Sequence, residues 1–196
     1  VGNIITATVE IRGIRPLLWH HFGPDAIPLE KQEQTGVAGN DPEEWRRTVL
    51  MTADRQLFLE PEYIFSCIRD GAKYTKKGRG SIQSAVAATL QVMDDRILID
   101  RYVPEEPLPT DRDAPVYLDI RSVRNPATKG RDVRYRVAAA PGWSTTCTIL
   151  WDRTIVHRGE MEAAVRDAGR FSGLGDGRNI GFGRFTVERF DVRLME

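Results

Sequence analysis

The chain has 196 residues and a mass of 22.1 kDa, and its 28 Lys and Arg are balanced by 28 Asp and Glu, for a formal net charge of zero. That length suits one domain with one core, and 41% hydrophobic with 29% charged residues is ordinary for a globular protein. Zero net charge argues against a protein that coats nucleic acid indiscriminately but permits a local basic face, and no apolar run reaches the roughly 18 residues of a membrane span.

Ile4 to Ile14 reads as a strand, with Ile5, Ala7, Val9 and Ile11 alternating against Thr6, Thr8, Glu10 and Arg12. Pro16 ends its run in a sheet, so Arg15 to Phe22 is expected to leave it. Gly and Pro punctuate the next stretch, which reads as an inserted arm at about 23–57 containing a short helix from Asp41 or Pro42 to about Leu50. Phe58-Leu59 is extended. Pro61 opens a helix whose stripe is Tyr63, Ile64, Cys67, Ile68 and Ala72, and a basic, glycine-bearing loop separates it from a second helix predicted from Ser81 to Met93.

Arg96 to Ile99 is predicted as a short strand and 100–115 as a surface loop rich in Pro and acids. Val116–Val123 and Val133–Ala140 read as strands around a projecting loop at about 124–132. Pro141-Gly142 is a turn, and Trp143–Trp151 a further strand. The two tryptophans share a face, and at most one need be core. Arg158–Ala168 is a helix, a glycine-rich loop follows, and Arg184–Leu194 is the last strand. The order is the β-α-β-β-α-β of a ferredoxin-like α+β domain covering 1–196, with one open sheet face.

Cys67 in a helix and Cys147 in a strand read as buried free thiols, and no signal peptide is visible. The expected location is the cytoplasm. No His, Cys and carboxylate set recurs at ligand spacing, so no metal is expected. Two loops concentrate positive charge. The first holds Arg69, Lys73, Lys76, Lys77 and Arg79 with Tyr74, and reads either as a phosphate track with an aromatic platform or as a solvated helix break. The second runs from Arg121 through Arg124, Lys129, Arg131 and Arg134 to Arg136, with Asp132 its one acid. Between them, residues 94–113 hold seven acids and three arginines, so charge is segregated along a neutral chain.

The glycine loop carries Gly173, Gly175, Gly177, Gly181 and Gly183 with Arg170, Arg178 and Arg184. It lacks the Gly-Lys-Ser or Gly-Lys-Thr of a P-loop. It also lies after a helix and before a strand, the reverse of the dinucleotide fingerprint, so no nucleotide cofactor is expected. The run Gly173-Leu174-Gly175-Asp176-Gly177-Arg178-Asn179-Ile180-Gly181-Phe182-Gly183-Arg184-Phe185 resembles the C-terminal glycine-rich loop of the RAMP superfamily, the CRISPR-associated proteins built on ferredoxin-like, RRM-like domains. Val9 to His20 is also similar to a set of uncharacterised bacterial and phage proteins with a Gly-x-x-Pro-Leu-Leu segment and a later Lys-Lys-Gly-Arg-Gly segment.

The resemblance implies non-catalytic binding of single-stranded nucleic acid, RNA in preference to DNA. It also implies partners in the form of copies of the chain or other subunits of a CRISPR-like or phage nucleoprotein filament, and no membrane. Carried onto this chain, it places the strand along the five glycines with Arg178 and Arg184 nearby. Asp176 departs from the Lys or Arg that a phosphate-binding version of the loop would favour. Two other readings stand beside it. His20 or His21 could serve a metal-independent endoribonuclease, or the segregated charges could drive structural self-assembly.

Overall fold

The computed structural model describes residues 2–23, 41–124 and 129–194. About half of the expected arm, at 24–40, and the tip of the expected projecting loop, at 125–128, lie outside the described residues.

The first strand, β1 (Ile4–Gly13), runs through the middle of the main sheet. Its Ile5, Ala7, Val9 and Ile11 are all buried, so the alternation in the sequence sorts one face into the core. Chain direction leaves this sheet after Gly13, as the proline predicts. Leu17 and Leu18 then form β2, which joins a second, smaller sheet. Next come α1 (Glu44–Thr48), shorter than the expected helix, β3 (Gln56–Leu59) and α2 (Pro61–Gly71). Ile64, Cys67 and Ile68 of α2 and Ala72 after it are buried, as their spacing predicts. The basic loop is a two-stranded hairpin, β4 (Lys76–Lys77) with β5 (Gly80–Ser81).

The second helix is shorter than predicted: α3 spans Gln83–Thr89, and Leu90 is already extended. Sheet pairing competes with the helical period here, because β6 (Gln91–Val92) pairs with Leu150 and Ile149 of a later strand. The short strand near Arg96 is longer than expected, β7 (Ile97–Tyr102), because it pairs with β3 on one side. There follow β8 (Val116–Arg124), β9 (Arg131–Ala139), β10 (Ser144–Asp152), α4 (Arg158–Asp167), a π-helical turn at Ala168–Ser172 and β11 (Phe185–Leu194).

The result is a mixed α+β architecture with antiparallel sheets. The main sheet has the order β11-β1-β10-β7-β3, with β6 also on β10. Both β11 and β10 run antiparallel to β1, and β7 runs antiparallel to β10. The hairpin expected at the middle of this sheet, β8 with β9, does form, in register from Val116↔Ala139 to Arg124↔Arg131. It stands instead in the second sheet, ordered β2-β9-β8, while the main sheet takes β7 and β10. Local alternation marks a strand without naming its neighbour, which is why β8–β9 was assignable and its sheet was not.

Both tryptophans of the β10 region are fully buried, correcting the expectation that one need be core. The Trp143 indole lies over Gly13, where a Cβ would come within 2.0 Å of the ring, and its N–H donates to the Arg15 carbonyl at 2.8 Å. Trp151 donates to the Val156 carbonyl at 2.9 Å. Both thiols are free and buried, and burial pushes each up to about 12. Among the described residues no helix is long and apolar enough to cross a membrane.

The core lies between one face of the main sheet and α2, α3 and α4. The opposite face is open. It carries Glu10, Asp100 and Glu188 around Arg12, with Leu98 and Tyr102 exposed toward one edge.

Candidate nucleic-acid interface

The glycine loop joins the end of the π-helical turn to β11 and lies against β2. All five glycines have positive φ, between 67° and 97°, a conformation that costs any other L-residue. Space demands glycine as well. A Cβ on Gly183 would sit 1.8 Å from the Leu174 carbonyl oxygen, and one on Gly175 would sit 2.5 Å from that of Leu18. Gly173 and Gly177 press in the same way on Phe182, while Gly181 faces open space. The N–H groups of Gly173, Gly181 and Gly183 donate to Ala168, Arg178 and Pro16, and that of Asp176 donates to Leu18. The loop is therefore a packed wall tying the exit of the first strand to the start of the last.

Among the described residues several clefts border this wall, and three of them gather basic side chains from more than one stretch. The first, of about 570 Å³, lies between the end of α2 and the loop, and brings Lys73, Tyr74 and Phe171 to Arg178 and Arg184. Arg178 reaches Asp70 at 3.4 Å, and Arg184 donates through one Nη to the Arg178 carbonyl at 3.2 Å. Its other Nη is buried without a hydrogen-bond partner.

The second cleft, of about 590 Å³, lies between the loop and the β8–β9 ribbon and is lined by His20, Arg121, Arg124, Arg134 and Arg136. It shares Asp176, Gly177 and Asn179 with the first. Register sets Arg121 opposite Arg134 and Arg124 opposite Arg131, pairs that repel unless neutralised. Part of the neutralisation is internal. Buried Asp119 accepts from Arg121 at 3.0 Å and from Arg136 at 3.3 Å, and Arg136, 4% exposed, also donates to Asp176 at 2.6 Å.

Arg134 donates to Glu44 of α1 at 2.6 Å, where His20 Nε2 stands 3.1 Å away and the Tyr135 N–H donates at 3.1 Å. Burial opposes ionisation of Glu44, but the hydrogen bonds from His20, Tyr135 and Arg134 outweigh it and hold the carboxyl at about 2.

The third cleft, of about 430 Å³, opens at the loop's tip, where Arg15, Arg112 and Arg121 surround Phe182. The Arg121 guanidinium lies 4.8 Å from the Phe182 ring centroid.

The sequence candidates divide. Lys73, Arg121, Arg124, Arg178 and Arg184 line the clefts, as do Gly175, Gly177 and Gly181. Gly173 and Gly183 shape the wall from behind. Arg69 is held by Asp70 at 2.9 Å and Lys77 by Glu160 at 2.9 Å, while Lys76 and Arg79 are exposed on the β4–β5 hairpin. Those four, with Lys129 and Arg131 at the far end of the ribbon, stand outside the lining of the three clefts.

Asp176, out of place for a phosphate loop, is the carboxylate that anchors Arg136. The two histidines diverge, His20 to Glu44 and His21 Nδ1 to the Tyr63 hydroxyl at 3.1 Å. Three contributors escaped sequence reasoning as site residues. Arg112 sits inside an acidic run, Arg15 beside the proline exit, and Phe171 at the start of the glycine-rich stretch.

No family model matches the chain, and no curated protein matches it. Among solved structures it is similar to a chain in the cryo-EM structure of the Type III-B Cmr-beta bound to cognate target RNA. The identity is 13% and the TM-score 0.49, over 96% of this chain. The chain spans 60% of the length of that solved chain.

Proposed function

We propose that this chain binds single-stranded nucleic acid, RNA in preference to DNA, and does so without cutting it. One observation carries the reading. In a chain of zero net charge, basic side chains from five separate stretches (Arg15, Lys73, Arg112, the β8–β9 ribbon and the glycine loop) converge on three clefts sharing one wall. The acids of the open sheet face lie elsewhere. A flexible polyanion suits such a winding track better than a rigid duplex does.

The resemblance of the glycine loop and the β11-β1-β10-β7 order supports a ferredoxin-like domain of the RAMP kind, acting as a subunit among copies of itself or other nucleoprotein subunits. Titrating a labelled single-stranded RNA by fluorescence anisotropy tests it. Affinity should fall linearly with salt on logarithmic axes, with a slope of about 0.7 per phosphate contact. Absence of binding at low salt, with a defined oligomer by light scattering, would favour self-assembly instead.

A second reading has one observation of its own. His20 pairs with Glu44 inside an arginine-lined cleft, an arrangement able to move a proton beside a bound ribose. Cleavage of the bound RNA in the absence of divalent ions, lost on His20→Ala, would establish it.

A further inference from the structure

The cleft between α2 and the glycine loop holds two features that phosphate binding alone does not require. Tyr74 and Phe171 are exposed, at 42% and 49%, in a cleft otherwise lined by polar groups. Their ring centroids are 4.9 Å apart at 46°, and Lys73 Nζ lies 4.9 Å from the Tyr74 centroid. The pair is held firmly from below. A Cβ on Gly71 would sit 2.4 Å from the Ala168 Cα, and one on Gly169 would sit 2.3 Å from the Phe185 carbonyl, so α2, the π-helical turn and β11 meet backbone to backbone. Thr75 Oγ1 also donates to Asp167 at 2.8 Å, pinning the segment after Tyr74 to α4. The π-helical geometry then turns Phe171 outward, and such turns recur at functional sites. The second feature is Arg184, which lines the same cleft and whose one buried Nη has no hydrogen-bond partner among the described residues.

We propose that this cleft is a base-stacking subsite. One unpaired nucleobase of the bound strand lies on the face of Phe171, while its phosphates meet Lys73, Arg178 and Arg184. Phe171, the more exposed of the two, forms the platform and Tyr74 backs it: the two rings are too close to admit a base between them, and Lys73 occupies one face of Tyr74. The volume of about 570 Å³ falls within the roughly 300–1,000 Å³ of small-ligand sites. Every base has a π-face, so the subsite selects single strands over duplex without selecting a sequence.

This inference rests on the single-strand reading above, and abasic substitution separates the two. Wild-type protein is titrated with a short single-stranded RNA and with the same strand carrying abasic sites, its phosphates unchanged. The base-bearing strand should bind about 5- to 100-fold tighter. That ratio should collapse toward one in Phe171→Ala and return in Phe171→Trp, with unchanged thermal unfolding in both. Binding of both strands to wild type with equal affinity, or a ratio that survives Phe171→Ala, overturns the subsite while leaving strand binding intact. Failure of both strands to bind wild type at low salt overturns both readings. So does saturable binding of a free nucleoside monophosphate with no strand binding.

Discussion

The two larger clefts share a wall and a charge sign but differ in what their cations are doing. Along the β8–β9 ribbon, Arg121, Arg134 and Arg136 are each held by a carboxylate within 3.3 Å, and Asp119 among these acids is fully buried. Beside α2, Lys73 rests on a ring, Arg178 meets Asp70 in a partly exposed pair and not a buried one, and one Nη of Arg184 has no partner among the described residues. One cleft is a scaffold whose charges are committed to folding and whose remaining donors are fixed in direction. The other holds cations that a ligand can recruit at little cost to the fold. The same residue types therefore do different work on the two sides of Asp176, and composition alone could not distinguish them.

Breaking the scaffold should have the largest effect. Arg136→Met leaves Asp119 and Asp176 without their shared partner, and removing one member of a buried pair costs roughly 3–5 kcal/mol. Urea unfolding reads this directly. A loss below about 1 kcal/mol together with weakened RNA binding would instead mean that Arg136 is held for the ligand.

Acid titrates the same side of the comparison. The Glu44 carboxyl is depressed to about 2 in the fold from 4.5. Its contribution is thus fully present above pH 4.5 and is lost as pH falls toward 2. The whole is about 3 kcal/mol at most. Glu44→Gln should flatten the stability profile across that window, and an unchanged profile would sever Glu44 from the scaffold.

On the α2 side, Arg178→Ala should alter stability by about 0.5 kcal/mol or less, yet weaken RNA binding and lower the salt slope by about 0.7. Destabilisation matching that of Arg136→Met would erase the distinction between the clefts. Smallest of all, Arg79→Ala on the β4–β5 hairpin should affect only the rate of association at low salt, through long-range attraction. A loss of affinity equal to that of Arg178→Ala would extend the track onto the hairpin.

Much of this could be read in the chain beforehand. The alternation of Ile4–Gly13, the strand runs around Val116–Val123 and Val133–Ala140 and the helical stripe of Ile64, Cys67 and Ile68 are local signals, and the structure has strands and a helix there. The basic stretches and the glycine loop were visible as well. Partnership was not. Nothing local in β8 or β9 says that β9 pairs with Leu17-Leu18 and that the two strands stand outside the main sheet. Asp119 and Arg136 look like solvent-facing strand charges until the fold brings the glycine loop over them. Trp143 is buried because Gly13, far away in sequence, leaves room for its indole. Phe171 escaped notice for a related reason: it reads as part of the glycine-rich loop, and the π-helical turn that carries it has no sequence signature.

The pairing of the first strand also governs timing. Synthesis delivers β1 early, yet its neighbours β10 and β11 begin only at Ser144 and Phe185, and the wall between the clefts closes through Gly183 N–H to Pro16 and Asp176 N–H to Leu18. An emerging chain therefore holds an unpaired, β-branched central strand until β10 and β11 have been made, a state that favours slow, late folding and exposure to aggregation. All three basic clefts use the glycine loop as a wall, so none of them can form until that loop has been made.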